Sequence, residues 1–201
     1  LRLENNIVKG GILPNKISEL SRTVNVVGET VVEGPVYANK LTIESAPFEV
    51  KGAVFTQKEL YINKDVDGNV IFHKAVGSAS SVVSRAFKCE TTFRSDVNAK
   101  SITLCNAFVS GSLYGDEIIL ENCVVIGGVF ATQSLVIKDC IVGTFISPFV
   151  ELDGNVNLLL PSVFSVEKVN YTKNTHLYSL ALADLGSLYR GQTESAESGR
   201  I

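Results

Sequence analysis

The chain has 201 residues, of which 45% are hydrophobic and 19% are charged. That composition can bury a continuous apolar core and lies outside the disordered class of proteins. The net charge is −3, which argues against the positive field that nucleic-acid binding needs. The apolar stretches are short and broken by glycine, well below the roughly 20 residues of a membrane helix. The sequence therefore predicts a folded protein that binds no nucleic acid and has no transmembrane span.

Residues 1–23 precede a repeat and do not follow its pattern. We expect them to form an N-terminal cap or a degenerate first coil. The chain starts at Leu1 and contains no methionine. We therefore expect that the initiator was removed or that the natural protein is longer, with membrane contact possible only through a segment before Leu1.

Residues 24–170 contain a repeated sequence pattern, in which apolar residues occupy every second position and small residues follow. The repeat that starts at Val109 is followed by one that starts at Val125, and successive repeats start 16 to 18 residues apart, with one interval of 27. Period-2 alternation in short runs predicts strands that turn corners. The fold class is thus all-β, a single-stranded parallel β-helix of about seven coils of 16–18 residues. The starting residues are Val32, Val50, Val66, Phe93, Val109, Val125, Val142 and Leu158.

A column of glycines recurs near the start of the coils. Each corner requires a sharp bend, and glycine tolerates the positive φ angles that such bends often need. A structural role at one corner is therefore predicted for all of them. The column comprises Gly34, Gly52, Gly68, Gly111 and Gly127.

The 27-residue interval holds about ten residues more than one coil needs, and we interpret 77–86 as an insertion. A loop on a rigid scaffold often carries binding residues. Val82, Val83 and Arg85 are accordingly the candidate partner loop, with a plain surface insertion as the alternative.

Residues 171–191 show apolar residues at helical spacing, which predicts a C-terminal α-helix from about residue 175. Such a helix could cap the last coil or dock a partner, and 192–201 would be a flexible tail. The candidate capping or assembly surface comprises Leu177, Leu180, Leu185, Leu188 and Tyr189.

Four cysteines, at 89, 105, 123 and 140, follow the coil period. Cys123 and Cys140 align with Ala46 and Ala107 at a small inward corner position, which predicts buried free thiols and a reducing, cytoplasmic compartment. No CxxC pair indicates zinc.

His73 and His176 stand far apart, and neither has a nucleophile or a carboxylate pair at a fixed spacing. The sequence predicts no catalytic, cofactor-binding or metal-binding residue, and hence no enzyme. A carboxylate pair from adjacent coils is the one enzymatic possibility that remains.

The lines VEGPVYANKLTI (32–43) and VSGSLYGDEIIL (109–120) resemble the bactofilin family of polymer-forming cytoskeletal proteins. The resemblance covers residues 24–166. It implies a right-handed β-helix that joins end to end into nucleotide-independent filaments, often at the inner membrane surface. The sequence departs from the family pattern in the insertion 77–86 and in the long C-terminal segment. A C-terminal segment that caps the last coil would compete with end-to-end assembly for the same surface.

The expected function is therefore a structural scaffold that self-associates or positions an envelope protein, in the cytoplasm and at the inner face of the membrane. The alternative is a β-helix that binds or acts on a polysaccharide. A hexapeptide-repeat acyltransferase is disfavoured, because spacings of 2, 2, 2, 3, 2 and 3 within a coil break the six-residue rhythm.

Overall fold

The computed structural model describes residues 1–159 and 168–179. Those ranges contain 15 strands and one short 3-10 helix, Ile17–Glu19, and no α-helix. The strands pair in parallel as a solenoid of about eight turns, so the predicted parallel β-helix is confirmed. The strands are β1 Arg2–Val8, β2 Thr23–Val32, β3 Val36–Ile43, β4 Phe48–Val50, β5 Val54–Ile62, β6 Val70–Phe72, β7 Val76–Ser84, β8 Thr91–Phe93, β9 Val97–Cys105, β10 Ala107–Val109, β11 Leu113–Glu121, β12 Val124–Ile146, β13 Phe149–Leu158, β14 Lys168–Tyr171 and β15 His176–Ser179.

The coils in the middle of the solenoid alternate a nine-residue strand, such as β5 or β7, with a three-residue strand, such as β6 or β8. Side chains alternate between the core and the solvent, because successive residues of a strand point to opposite faces. The inward positions hold mostly Val, Leu and Ile, whose shapes suit a pleated surface. One stacked inward column consists of Val36, Val54, Val76, Val97, Leu113 and Val129.

Three phenylalanines fill the core behind the three-residue strands. The ring centroids of Phe48 and Phe72 lie 6.0 Å apart, and those of Phe72 and Phe93 lie 4.9 Å apart in a stacked arrangement. All three side chains are buried. Aromatic pairs at these distances stabilise the core beyond their buried area.

The segment 77–86 is not an insertion. Residues 76–84 form β7, which pairs with β5 on one side and with β9 on the other. The extra residues are divided between two long corners, 63–69 and 85–90, so that Val50, Phe72 and Phe93 stack at intervals of 22 and 21 residues. Gly, Ser and Ala have low strand propensity, and pairing with two neighbouring strands overrides it here.

Four of the five predicted glycines do form a column, but they are required for a different physical reason from the one predicted. Gly34, Gly52, Gly111 and Gly127 have no positive φ, and a Cβ on any of them would clash with the backbone of the preceding coil. Close approach of successive coils therefore requires glycine there. Gly68 does not belong to this column: it has φ +114° and lies beside Ala46 at another corner.

The predicted helix from residue 175 is wrong in its first turn. His176–Ser179 is the strand β15, which pairs in parallel with β13. Leu177 is aligned with Val156 and packs against the core, so a solenoid column overrides the helical spacing. The rest of the predicted helix and the tail 192–201 lie outside the described residues. At the other end, β1 forms an outermost coil against β2.

Candidate functional site

The outermost coil at the N-terminal end has an open backbone edge. Within the described ranges, β1 pairs with β2 alone. The carbonyl of Val8 accepts a hydrogen bond from the N–H of Glu33 at 2.9 Å. Since consecutive residues of a parallel strand turn their backbone groups to opposite sides, the N–H and carbonyl of the preceding Ile7 face the open side. This edge can therefore accept a further strand.

Large apolar side chains are exposed beside that edge, on the first coil and in the segment that follows it. Their exposed fractions range from 48% to 87%. An Arg2–Glu4 ion pair of 3.2 Å lies at the same end and is itself exposed. Unpaired backbone and exposed apolar groups thus occur together here. The N-terminal edge surface comprises Leu1, Ile7, Leu13 and Ile17.

The C-terminal surface predicted from the sequence is only partly described. Leu177 lies in β15 and is half-buried on the core. The other four residues of that prediction, Leu180, Leu185, Leu188 and Tyr189, lie outside the described ranges. In the part of the chain that the structure covers, β14 and β15 pair with β13 alone, so this end also carries strand edges.

The predicted partner loop is mostly strand. Val82 is fully buried in β7 between Leu60 and Ile102 of the adjacent coils, and Val83 faces outward and is half-buried. Arg85 alone lies in a loop, at the start of the corner 85–90, where it is exposed. Val82 therefore contributes to stability and is not available to a partner.

All four cysteines are buried and free, as the sequence predicted. The backbone N–H of Cys123 donates to Sγ of Cys140 on the next coil at 3.3 Å. A hydrogen bond between the two thiols, together with burial, raises the pKa of Cys123. Burial likewise raises the pKa values of Cys89 and Cys105.

The sequence aligned Cys123 and Cys140 with Ala46 and Ala107, and the structure agrees with this alignment only in part. Ala107, at the start of β10, shares a column with Cys123, since the residues that follow them, Phe108 and Val124, are paired. Phe48 occupies the position that the sequence assigned to Ala46. Among the described residues, no group of three or more His, Cys, Asp or Glu is placed to hold a metal ion.

His73 has partners that the sequence did not reveal. Its Nε2 lies 2.6 Å from Oε1 of Glu49, and Nη1 of Arg94 donates to its Nδ1 at 3.3 Å. The imidazole therefore donates to the carboxylate and accepts from the guanidinium. A triad for covalent catalysis needs a nucleophile hydrogen-bonded to the histidine, and these contacts supply none.

Carboxylates on adjacent coils contact cations and hydroxyl groups. Oε1 of Glu121 lies 2.8 Å from Nζ of Lys138, and Oε2 of Glu59 lies 2.6 Å from Nζ of Lys40. Asp116 accepts a hydrogen bond from the Thr132 hydroxyl. Exposed pairs of this kind contribute only about 0–1 kcal/mol each. They stabilise the outer faces weakly and do not form the paired carboxylates of a glycosidase.

The outer surface also carries two aromatic stacks. The rings of Tyr37 and Phe55 lie 5.4 Å apart, and those of Tyr114 and Phe130 lie 5.1 Å apart. Each pair joins adjacent coils at the same register position. The recurrence of outward aromatic residues at the coil period is the sequence signal for these contacts.

Comparisons with protein-family models, with curated proteins and with solved structures find no match to this chain. Across the described residues, none of the helical structure is long and apolar enough to span a lipid bilayer.

Proposed function

We propose that this protein is a non-enzymatic structural scaffold that self-associates through its N-terminal edge surface. The observation that carries the proposal is the open strand β1 beside the exposed Leu1, Ile7, Leu13 and Ile17. A strand edge left unpaired in water is a template for another strand.

A second copy of the chain fits this edge because it offers what the edge lacks. Its C-terminal coil presents the four-residue strands β14 and β15, which are paired on one side only within the described residues and could both pair along the β1 coil. Each new backbone hydrogen bond would contribute about 0.5–1.5 kcal/mol net. Ile7 and Ile17 are 65% and 87% exposed, and burying each would contribute a further 1–2 kcal/mol, roughly. Together these terms are of the same order as the cost of association, about 4–15 kcal/mol, so the backbone hydrogen bonds and the apolar contacts are both needed for a stable interface.

The repeat-level resemblance to bactofilins supports the same proposal. We extend it to a cytoplasmic scaffold at the inner face of the membrane, with an envelope protein as a further partner. The free, buried cysteines are consistent with a reducing compartment.

The proposal is tested by sedimentation velocity and negative-stain electron microscopy over a range of protein concentrations. We expect the wild type to form concentration-dependent oligomers or filaments. Ile7→Lys should abolish them, because a charge would be placed against a closing interface. Ile119→Lys is the matched control, since Ile119 is 45% exposed on a lateral face of β11 and should leave assembly intact.

A second variant isolates the backbone contribution. Ile7→Pro removes an N–H that points away from β2, so the solenoid should keep its stability while the edge loses a donor. Ile7→Thr keeps the N–H and is its control. A wild type that remains monomeric at every concentration and salt would refute the scaffold proposal.

A further inference from the structure

A cleft lies where the long corners of the solenoid give way to short ones. The corner 85–90 has six residues between strands, whereas β9 and β10 are separated by Asn106 alone. The long corner therefore overhangs the coils that follow it. The cleft below it has a volume of about 190 Å³ and is lined by Glu90, Asn106, Ala107, Phe108, Asn122 and Val124.

A ladder of asparagines fixes the shape of this cleft. Asn106 donates from Nδ2 to the carbonyl of Cys89 at 3.0 Å and so ties down the overhanging corner. Its Oδ1 accepts a hydrogen bond from Nδ2 of Asn122 at 2.8 Å. Both asparagines have positive φ, 55° and 53°, a conformation that asparagine adopts more readily than most residues.

Two hydrogen-bond acceptors at the cleft have no partner among the described residues and face solvent. Oδ1 of Asn122 and the carboxylate of Glu90 make no hydrogen bond or ion pair with any described residue. Both residues are exposed, so a ligand can reach them. The cleft therefore offers acceptors to a ligand that carries several donors.

The same cleft has an apolar side. Phe108 and Val124 are paired neighbours on adjacent coils, and both side chains face outward. Phe87, in the overhanging corner, is 66% exposed. A ligand that fits must therefore present C–H groups on one face and donors at its rim.

We propose that this cleft binds one pyranose ring of a neutral saccharide. The ring C–H groups would pack on Phe108 and Val124, and its hydroxyls would donate to Glu90 and Asn122. The volume lies below the roughly 300–1,000 Å³ of drug-sized pockets, which suits a single ring. A cationic ligand fits less well, because Arg85 and Lys88 in the same corner offset the charge of Glu90. This site is independent of the edge surface and would link the scaffold to a carbohydrate.

The test is titration of the 15N-labelled protein with glucose, N-acetylglucosamine, cellobiose and chitobiose, followed by NMR. We expect millimolar binding by at least one sugar, with amide shifts confined to residues 85–90, 106–108 and 122–124. Glu90→Gln should weaken that binding about tenfold, since a hydrogen bond to a charged acceptor becomes a weaker one to a neutral acceptor. Phe108→Ala should weaken it through the apolar side.

Glu117→Gln is the matched control, because Glu117 is an exposed carboxylate of β11, remote from the cleft, and should not change the affinity. Circular dichroism verifies that each variant is folded. Three outcomes would overturn the proposal: no shifts with any sugar, shifts that Glu90→Gln and Phe108→Ala leave unchanged, or tighter binding of propylamine than of any sugar at the same residues.

Discussion

Truncation of Val82 tests the register of the solenoid directly. Val82 is fully buried between Leu60 and Ile102. Val82→Ala removes two methyl groups, at about 0.8 kcal/mol each, and leaves a cavity that the rigid neighbouring coils cannot close. We therefore expect a loss of about 2–3 kcal/mol in the free energy of unfolding.

Urea unfolding followed by circular dichroism measures this loss. With a slope of about 2 kcal/mol per molar urea, the midpoint should fall by about 1 M. The adjacent Val83 provides the control, because it faces outward and is only half-buried. Val83→Ala should cost less than about 1 kcal/mol. Equal and small effects of the two substitutions would mean that 77–86 is a loop after all, and would refute the register described here.

Three further predictions concern the interior. Burial raises the pKa values of Cys89 and Cys105 above 9.0, so the unfolded thiols ionise first and stability should fall as pH rises above about 9. The loss of unfolding free energy at high pH, measured by urea unfolding at several pH values, should be smaller in the double variant Cys89→Ala/Cys105→Ala. An equal loss in that variant would contradict this account. Gly127→Ala would place a Cβ 2.5 Å from a carbonyl oxygen of the preceding coil and should cost about 1–3 kcal/mol, whereas Gly10→Ala meets nothing within 4 Å and should be neutral in thermal unfolding. Thr30→Val should raise the free energy of unfolding by about 1 kcal/mol, because the buried Thr30 hydroxyl has no hydrogen-bond partner among the described residues; a lower free energy of unfolding would indicate a partner, such as water.

The coil period was predictable from sequence where the coils are short. Val109 and Val125, identified as equivalent starts, are stacked neighbours in the solenoid. Their coils have 16 residues and short corners, so the spacing of the apolar residues equals the length of a coil and gives the register directly. The burial of Cys123 and Cys140 was predictable for the same reason, because both follow the spacing of the short coils. Cys105 is buried although it is aligned with Glu121.

The register was not predictable where the corners are long. Val66 is an apolar residue in the corner 63–69, and it imitates the start of a coil without belonging to a strand. A repeat with a coil start at Val66 leaves no place for the strand β7. The open edge of β1 and the grouping of Glu90 with Asn122 follow from which strands are neighbours in the solenoid. The local sequence pattern does not specify those neighbours.

The number of residues in the corners varies along one edge of the solenoid and is constrained at the glycine column. The corners 63–69 and 85–90 both leave from the end of a nine-residue strand and return to the start of a three-residue strand. Neither corner changes the pairing of the strands that flank it. A foreign peptide inserted at either corner should therefore be tolerated, whereas one residue added at the glycine column would shift the side chains of the strand that follows to the opposite side of the wall. The fold thus provides one edge on which epitopes or probes can be displayed at the axial spacing of the coils.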